Sequence, residues 1–306
     1  LLIKEYEELS LEEVIHASPA ALQGVSNSDA KKLMEAFGIL TIEQMAKNKY
    51  YGHARALLAA HGHPNYDPGP PFDWEENFLS ARIDYYMDHP SGRFRLDFGP
   101  VYYRGRLDKT ARILIVGQDP ATNEILVQRV FVGHSGQRLQ GLLKKLGINR
   151  SYLMVNTFLF SVFGQFDTEL RNISEEPAIR DYRNTLFDKV ASENPLDAVI
   201  AIGAGARHAI DNWPGSNDFQ VFELVHPAAP ETLVLPNWND HLPLLAGTIE
   251  PETGLRPALD PYGASFLPSD MEAIPRYDLP FGIPDWHGAG GGSSSRNGNK
   301  VIEWNA

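Results

Sequence analysis

Four short apolar runs, each closing on a glycine or a polar residue, organise the middle of this chain. Ile113-Leu114-Ile115-Val116 is unbroken and rich in branched side chains, the pattern of a strand buried on both faces. Tyr152 to Val155, Ala198 to Gly203 and Val221 to Val225 read the same way. Between them the period changes from strand to helix. Leu139, Leu142, Leu143 and Leu146 recur at helical spacing, with Ser135 placed to cap that helix and Gly147 to stop it. Residues 177–193 keep helical periodicity with Pro177 in the first turn, and a shorter helix runs through Arg207-His208-Ala209-Ile210. Strands alternating with helices predict an α/β fold: doubly wound, a central four-stranded, mainly parallel sheet with flanking helices.

The flanks differ in character. Residues 1–60 predict an N-terminal helical segment, residues 61–250 the α/β domain, and residues 251–306 a Pro/Gly-rich, irregular C-terminal tail. Ser18 to Ala46 carries apolar residues at helical spacing around Gly24-Val25, which predicts a small helical hairpin. It resembles helix-hairpin-helix modules that grip DNA phosphates, with Ser26 where those have a second glycine; a helical packing cap is the other reading. The proline-dense loop 61–75 contains His61 and His63, two imidazoles without a further ligand set, so no metal site is expected. Phe94 to Phe98 alternates and Val101-Tyr102-Tyr103 follows, predicting extended chain ahead of the first buried strand. His287 to Ser295 has linker composition, and Lys300 to Trp304 could add a strand or dock a hydrophobic plug.

Composition narrows the function classes. A hydrophobic fraction of 43% suits a globular core, no run is long enough to span a membrane, and the opening Leu-Leu-Ile-Lys-Glu-Tyr has no secretory pattern. The absence of cysteine excludes disulfides, cysteine-bound zinc and a cysteine-ligated iron–sulfur cluster, and agrees with a reducing cytoplasm. A net charge of −12 argues against indiscriminate coating of nucleic acid. Yet Ile125 to Phe166 holds no acid while carrying Arg129, Arg138, Lys144, Lys145 and Arg150, which predicts a local basic surface on an acidic body.

Polar candidates stand at three strand ends. Gly117-Gln118-Asp119-Pro120 follows the first strand, Asn156 closes the second, and His226-Pro227 follows the fourth. Parallel strands bring all three to one rim, where α/β sheets bind ligands. Each also has a plain structural reading, since Asp-Pro and Asn favour turns.

Together these motifs resemble the uracil-DNA glycosylase superfamily over roughly residues 100 to 245. Gly117-Gln118-Asp119-Pro120 is similar to the first motif of the uracil-specific branch, Tyr152-Leu153-Met154-Val155-Asn156-Thr157 to its uracil-reading strand, and His226-Pro227 to its final motif. Arg129-Val130-Phe131-Val132-Gly133-His134-Ser135-Gly136-Gln137 is closer to the iron–sulfur branch. The resemblance implies a uracil-DNA glycosylase that flips deoxyuridine out of DNA, hydrolyses its N-glycosidic bond, and releases uracil from an abasic site. Asp119 and His226 would be the catalytic pair, the carboxylate activating water and the imidazole stabilising the uracil anion. Gly117, Gln118, Phe131, Ser135 and Asn156 would bind the base, Asn156 serving N3–H and O4 and Phe131 offering a stacking face. A glycosylase for another deaminated base or nucleoside, and a non-catalytic DNA-binding relative, are the alternatives.

The departures are specific. Ala121 occupies the place of the tyrosine that excludes thymine in the uracil-specific branch, and Glu124 matches the acidic residue that does so in the iron–sulfur branch. Ala121 is too short to build that wall, so the resemblance assigns the C5 face of the base to Glu124. The phosphate-contacting and wedge sequence after His226-Pro227 is missing, leaving Leu233 as the nearest wedge candidate. Phe163 to Ile173 has no histidine for covalent capture of DNA, so hydrolysis is expected. The expectation is a cytoplasmic monomer with no metal, cofactor or membrane partner.

Overall fold

The computed structural model describes residues 2–7, 9–51, 54, 66–97 and 99–280. His61, His63, Phe98, the 287–295 stretch and Lys300 to Trp304 lie outside the described residues. The chain divides into two compact units, Leu1–His63 and Pro64–Ala306.

In the first unit, α1 (Leu11–His16), α2 (Asn27–Phe37) and α3 (Ile42–Ala46) are short and individually capped. Ser26, the residue that replaces the hairpin glycine, accepts the Asp29 amide and is answered by the Asp29 carboxylate, a reciprocal cap on α2. Gly38 ends α2 in the left-handed region at φ 69°. The first arm of the expected hairpin is only a 3-10 turn, Pro19–Ala21.

The second unit holds α4 (Phe72–Leu79), α5 (Ile83–Met87), β1 (Phe94–Arg95), β2 (Arg104–Gly105) and β3 (Ile113–Gly117). Next come α6 (Thr122–Val127), α7 (His134–Lys145), β4 (Tyr152–Asn156), β5 (Ser161–Val162), α8 (Thr168–Glu175) and α9 (Pro177–Glu193). β6 (Ala198–Ile202), α10 (Gly203–Asp211), β7 (Val221–Leu224) and α11 (Glu231–Thr248) complete it. The sheet order is β2-β4-β3-β6-β7. The four expected strands are β3, β4, β6 and β7, all parallel, and the fold is the mixed α/β architecture that their apolar runs predict. A fifth strand was not foreseen: β2 pairs antiparallel to β4 through only two residues, too short to show a period. The Phe94–Arg95 extension leaves this sheet and pairs with β5 instead.

Strand alternation sorts the core into two layers. Ile113, Ile115, Tyr152, Met154, Ala198, Ile200 and Ile202 face one side, against leucines of α7 and α11. Leu114, Val116, Leu153, Val155, Val199 and Ala201 face the other, against α4, α9 and α10. Since successive strand residues point to opposite faces, a strand covered on both sides must be apolar throughout, which is why no alternation was visible in the sequence.

Two elements differ from expectation. Ser135 does not cap α7: Gly133 is the N-cap, and Ser135 lies inside the first turn. α11 went unrecognised because Pro236 and Pro243 interrupt it, each removing a backbone donor from the helix interior. Among the described residues no helix is long and apolar enough to cross a membrane.

Residues 251–280 contain little regular structure, but they are anchored at the sheet edge. Asp278 is fully buried and accepts from Arg104 Nη1 (3.1 Å), Arg106 Nη2 (2.8 Å) and Tyr152 Oη (2.6 Å). Burial and the neighbouring Asp278 carboxylate push the Tyr152 phenol well above its usual range, so it remains a donor. Removing the acid would leave two guanidinium groups, one fully buried, without their counter-charge. Asp278→Ala should therefore lower stability by about 3–5 kcal/mol, the usual cost of stranding one partner of a buried pair. Urea denaturation measures this; an unchanged midpoint would show that the strap contributes no net anchoring.

Candidate functional site

The sheet register assembles the site. Gly117 pairs directly with Asn156 at the carboxyl ends of β3 and β4, and β6 and β7 end alongside at Ile202 and Leu224. The chain after β3 thus leaves the rim beside the strand carrying Asn156, near the point where strand order reverses about β3.

Gly117 is required by contact. A Cβ there would collide with Asn156 Oδ1 and with the Phe131 ring, so the glycine is where the amide and the aromatic face meet. The loop is then locked from below: Thr157 N–H donates to Gly117 O (2.9 Å) and Phe158 N–H to Gln118 O (2.9 Å). Thr157 Oγ1 also reaches Gly117 O at 2.9 Å.

Asp119 is half-buried, with both carboxylate oxygens oriented by donors. Gln118 Nε2 donates to Oδ1 (2.8 Å) and the Val162 amide to Oδ2 (3.0 Å). The Gln118 side chain lies against Gly205 in α10, where a Cβ would clash with Gln118 Cγ. Val162 belongs to β5, which sequence reasoning left out: a two-residue strand carries no recognisable pattern.

His226 is held by a clamp on both sides. Val225 N–H donates to Asn237 Oδ1 (2.8 Å), Trp238 Nε1 donates to Val225 O (3.0 Å), and Arg138 donates to Pro227 O. The Ala228 amide donates to His226 Nδ1 (3.1 Å), which places the proton of a neutral ring on Nε2. The His226 and Phe131 rings lie 6.3 Å apart between centroids. Gly117, Phe131, Asn156 and His226 are thereby linked by contact, with Gln118 and Asp119 continuing directly from the same strand end.

Asn156 is 4% exposed, and among the described residues its Nδ2 has no hydrogen-bond partner. A buried amide donor left unsatisfied is costly, and one at this rim is open to a partner from solvent or a ligand. Phe131 is equally buried and holds φ at +51°, a left-handed conformation unusual for a bulky residue. Gly136 permits that turn, since a Cβ there would strike Phe131 O.

The remaining candidates are distributed differently. Ala121 is exposed at the start of α6, and Ser135 is half-buried in the first turn of α7. Glu124, assigned from sequence to the C5 face of a base, is buried and accepts the backbone amides of Ala121 and Phe131 (3.0 Å for the latter). Leu233 is exposed in the first turn of α11. A cavity of about 360 Å³ is lined by Gly203, Ala204, Arg207, Glu223, Val225 and His226, so it adjoins the imidazole without including Asp119, Phe131 or Asn156.

Four of the five cations in the acid-free stretch are paired with acids. Arg129 pairs with Asp67 (2.8 Å), Arg138 with Glu231 (2.7 Å), Lys144 with Glu272 and Lys145 with Asp270 (3.8 Å). Arg150 stacks on Tyr277, 4.3 Å from the ring centroid. The acids come from segments remote in sequence, which is why a local count of charges misled. Among the described residues no cluster of His, Cys, Asp or Glu could hold a metal ion.

None of the curated proteins compared with this chain matches it. Residues 104–231 match the family model described as the Uracil DNA glycosylase superfamily, a span that opens at β2 and closes just past the His226-Pro227 loop. All three rim motifs lie inside that span, 128 of the chain's 306 residues, and it is this part of the chain that is similar to the uracil-DNA glycosylase superfamily.

Proposed function

We propose that this protein is a uracil-DNA glycosylase, hydrolysing the N-glycosidic bond of deoxyuridine flipped out of DNA. The observation that carries the reading is the Asn156 carboxamide: its buried Nδ2 has no partner among the described residues, and its Oδ1 reaches over Gly117 beside the Phe131 ring. Uracil's O4 accepts and its N3–H donates, so one carboxamide can satisfy both at once. The Phe131 ring offers the flipped base an apolar face.

Cleavage breaks the C1′–N1 bond with its electron pair leaving on the base. Positive charge grows on the sugar and negative charge on uracil O2 and O4. Asp119, oriented by Gln118 and Val162, would accept a proton from water as the water oxygen bonds to C1′, and its anion favours the cationic sugar. The Nε2–H tautomer of His226, fixed by the Ala228 amide, suits a neutral donor to the departing anion. The backbone amide of Gln118, in the Asp119 loop, would be a second donor to that anion. Ala121 and Ser135 complete the proposed base-binding set, Ser135 from the helix that also carries Arg138.

Incubation with a uracil-containing oligonucleotide, followed by alkaline cleavage at abasic sites, tests the activity directly. Intact oligonucleotide with uracil, but cleavage with another deaminated base, would redirect the substrate assignment; no cleavage with any base would remove it.

Asp119→Asn preserves shape while removing the anion and the proton acceptor. Single-turnover excision should fall by about 10²–10⁴, the range for a positioned acid or base. An unchanged rate would exclude Asp119 from the chemistry.

His226→Ala should slow excision by about 10²–10³, as loss of one donor to a developing anion does elsewhere. Binding to an abasic oligonucleotide, which has no base for His226 to contact, should change far less. Equal damage to both would show that His226 chiefly holds the loop.

A further inference from the structure

Glu124 presents a buried carboxylate between two parts of the site. It is 7% exposed, and it belongs to α6, the short helix that joins the Asp119 turn to the Phe131 turn. One oxygen accepts the Ala121 amide, two residues after Asp119. The other accepts the Phe131 amide at 3.0 Å. A carboxylate with both oxygens on backbone donors is a fixed bridge rather than a mobile head group.

What it fixes is strained. Phe131 sits at φ +51°, Gln128 at the end of α6 is also left-handed at φ +59°, and the turn closes only because Gly136 gives its carbonyl room. Such conformations cost about 1–3 kcal/mol each and persist where surrounding contacts over-determine them. Glu124 supplies one such contact at the Phe131 amide itself. The Phe131 ring in turn touches the space above Gly117, where Asn156 Oδ1 also arrives.

We propose that Glu124 is a positioning residue: its carboxylate clasps the Phe131 turn to the Asp119 loop, and it acts on the base only through the Phe131 ring. This rests on the glycosylase reading above, and it replaces direct contact of Glu124 with the base by action at one remove. Thymine exclusion, on this view, is a property of the shape that the clasped ring and Asn156 leave, not of the carboxylate.

A double-mutant cycle separates the possibilities. Wild type, Glu124→Ala, Phe131→Ala and the double variant are compared for kcat, KM and inhibition by free uracil, with thymine excision measured alongside. Activity of the wild type is established first, so failure of the glycosylase reading is seen before any variant is interpreted. Stacking on one aromatic ring corresponds to roughly a 10- to 100-fold effect in binding. Glu124→Ala should weaken uracil inhibition and raise KM in the same direction as Phe131→Ala, and the double variant should be no worse than Phe131→Ala alone. Residues acting as one unit are non-additive in this way. Glu124→Gln, which keeps one acceptor oxygen, should fall between wild type and Glu124→Ala.

Multiplicative losses in the double variant would overturn the proposal, because Glu124 would then act independently of the ring. A gain of thymine excision in Glu124→Ala that Phe131→Ala lacks would also overturn it, by placing the carboxylate against the base. Should Glu124→Ala not fold, the cycle is run with Glu124→Gln and the same criteria apply. Independently of activity, the Phe131 amide should exchange with solvent faster in Glu124→Gln than in wild type, while amides of β3 and β4 remain protected; unchanged Phe131 exchange would remove the clasp.

Discussion

The parallel pairing of β3 with β4 brings Gly117 opposite Asn156, and the missing side chain at Gly117 lets two groups share one small volume. Asn156 Oδ1 and the Phe131 ring both press into space that a single methyl group would fill. Register is strict in a sheet buried on both faces, because a one-residue slip would exchange the residues facing the two core layers. The amide is therefore placed as firmly as the core itself. The other groups reach the rim by their own routes: Asp119 through the turn that follows Gly117, Phe131 through α6 and a strained turn, and His226 through the end of β7.

Support for these groups comes mostly from main-chain partners, and that governs what could be read in advance. Strands β3, β4, β6 and β7 were legible because burial on both faces leaves a continuous apolar signature. The rim residues Asp119, Asn156 and His226 were legible because they terminate those runs. Their supports were not. Val162 contributes a backbone amide that any residue type would carry, and β5 is too short to show a period. Asn237 and Trp238 sit in a helix whose two prolines conceal it. Ser135 illustrates the reverse error: a good capping residue stood two positions beyond the glycine that serves as the N-cap.

Local charge could be read only in part, for a related reason. The acid-free stretch from Ile125 to Phe166 is real in the sequence, but four of its five cations are met by Asp67, Glu231, Asp270 and Glu272 from far along the chain. Several of these pairs tie the 251–280 segment and the His226 loop to α7, so the cations serve the fold. Arg138 is the clearest case, bonding Glu231 and the Pro227 carbonyl while its guanidinium lies 4.2 Å from the Phe266 ring centroid. Exposed pairs among them, such as Lys144 with Glu272, are worth little individually. Buried or doubly bonded ones fix geometry.

This arrangement bears on how a polyanion could be engaged. Attraction of DNA ordinarily draws on unpaired lysine and arginine whose contacts release condensed counterions. Here four of the five cations in the acid-free stretch are paired with acids, and the whole chain is acidic at −12. For the proposed glycosylase, long-range steering would then contribute little, and discrimination would fall to the pocket. There a buried amide, an aromatic face and a neutral imidazole each demand something of a base and nothing of a phosphate. A protein built in this way gains from a base that leaves the stack cheaply, because extrusion, rather than backbone attraction, becomes the step its binding free energy must offset.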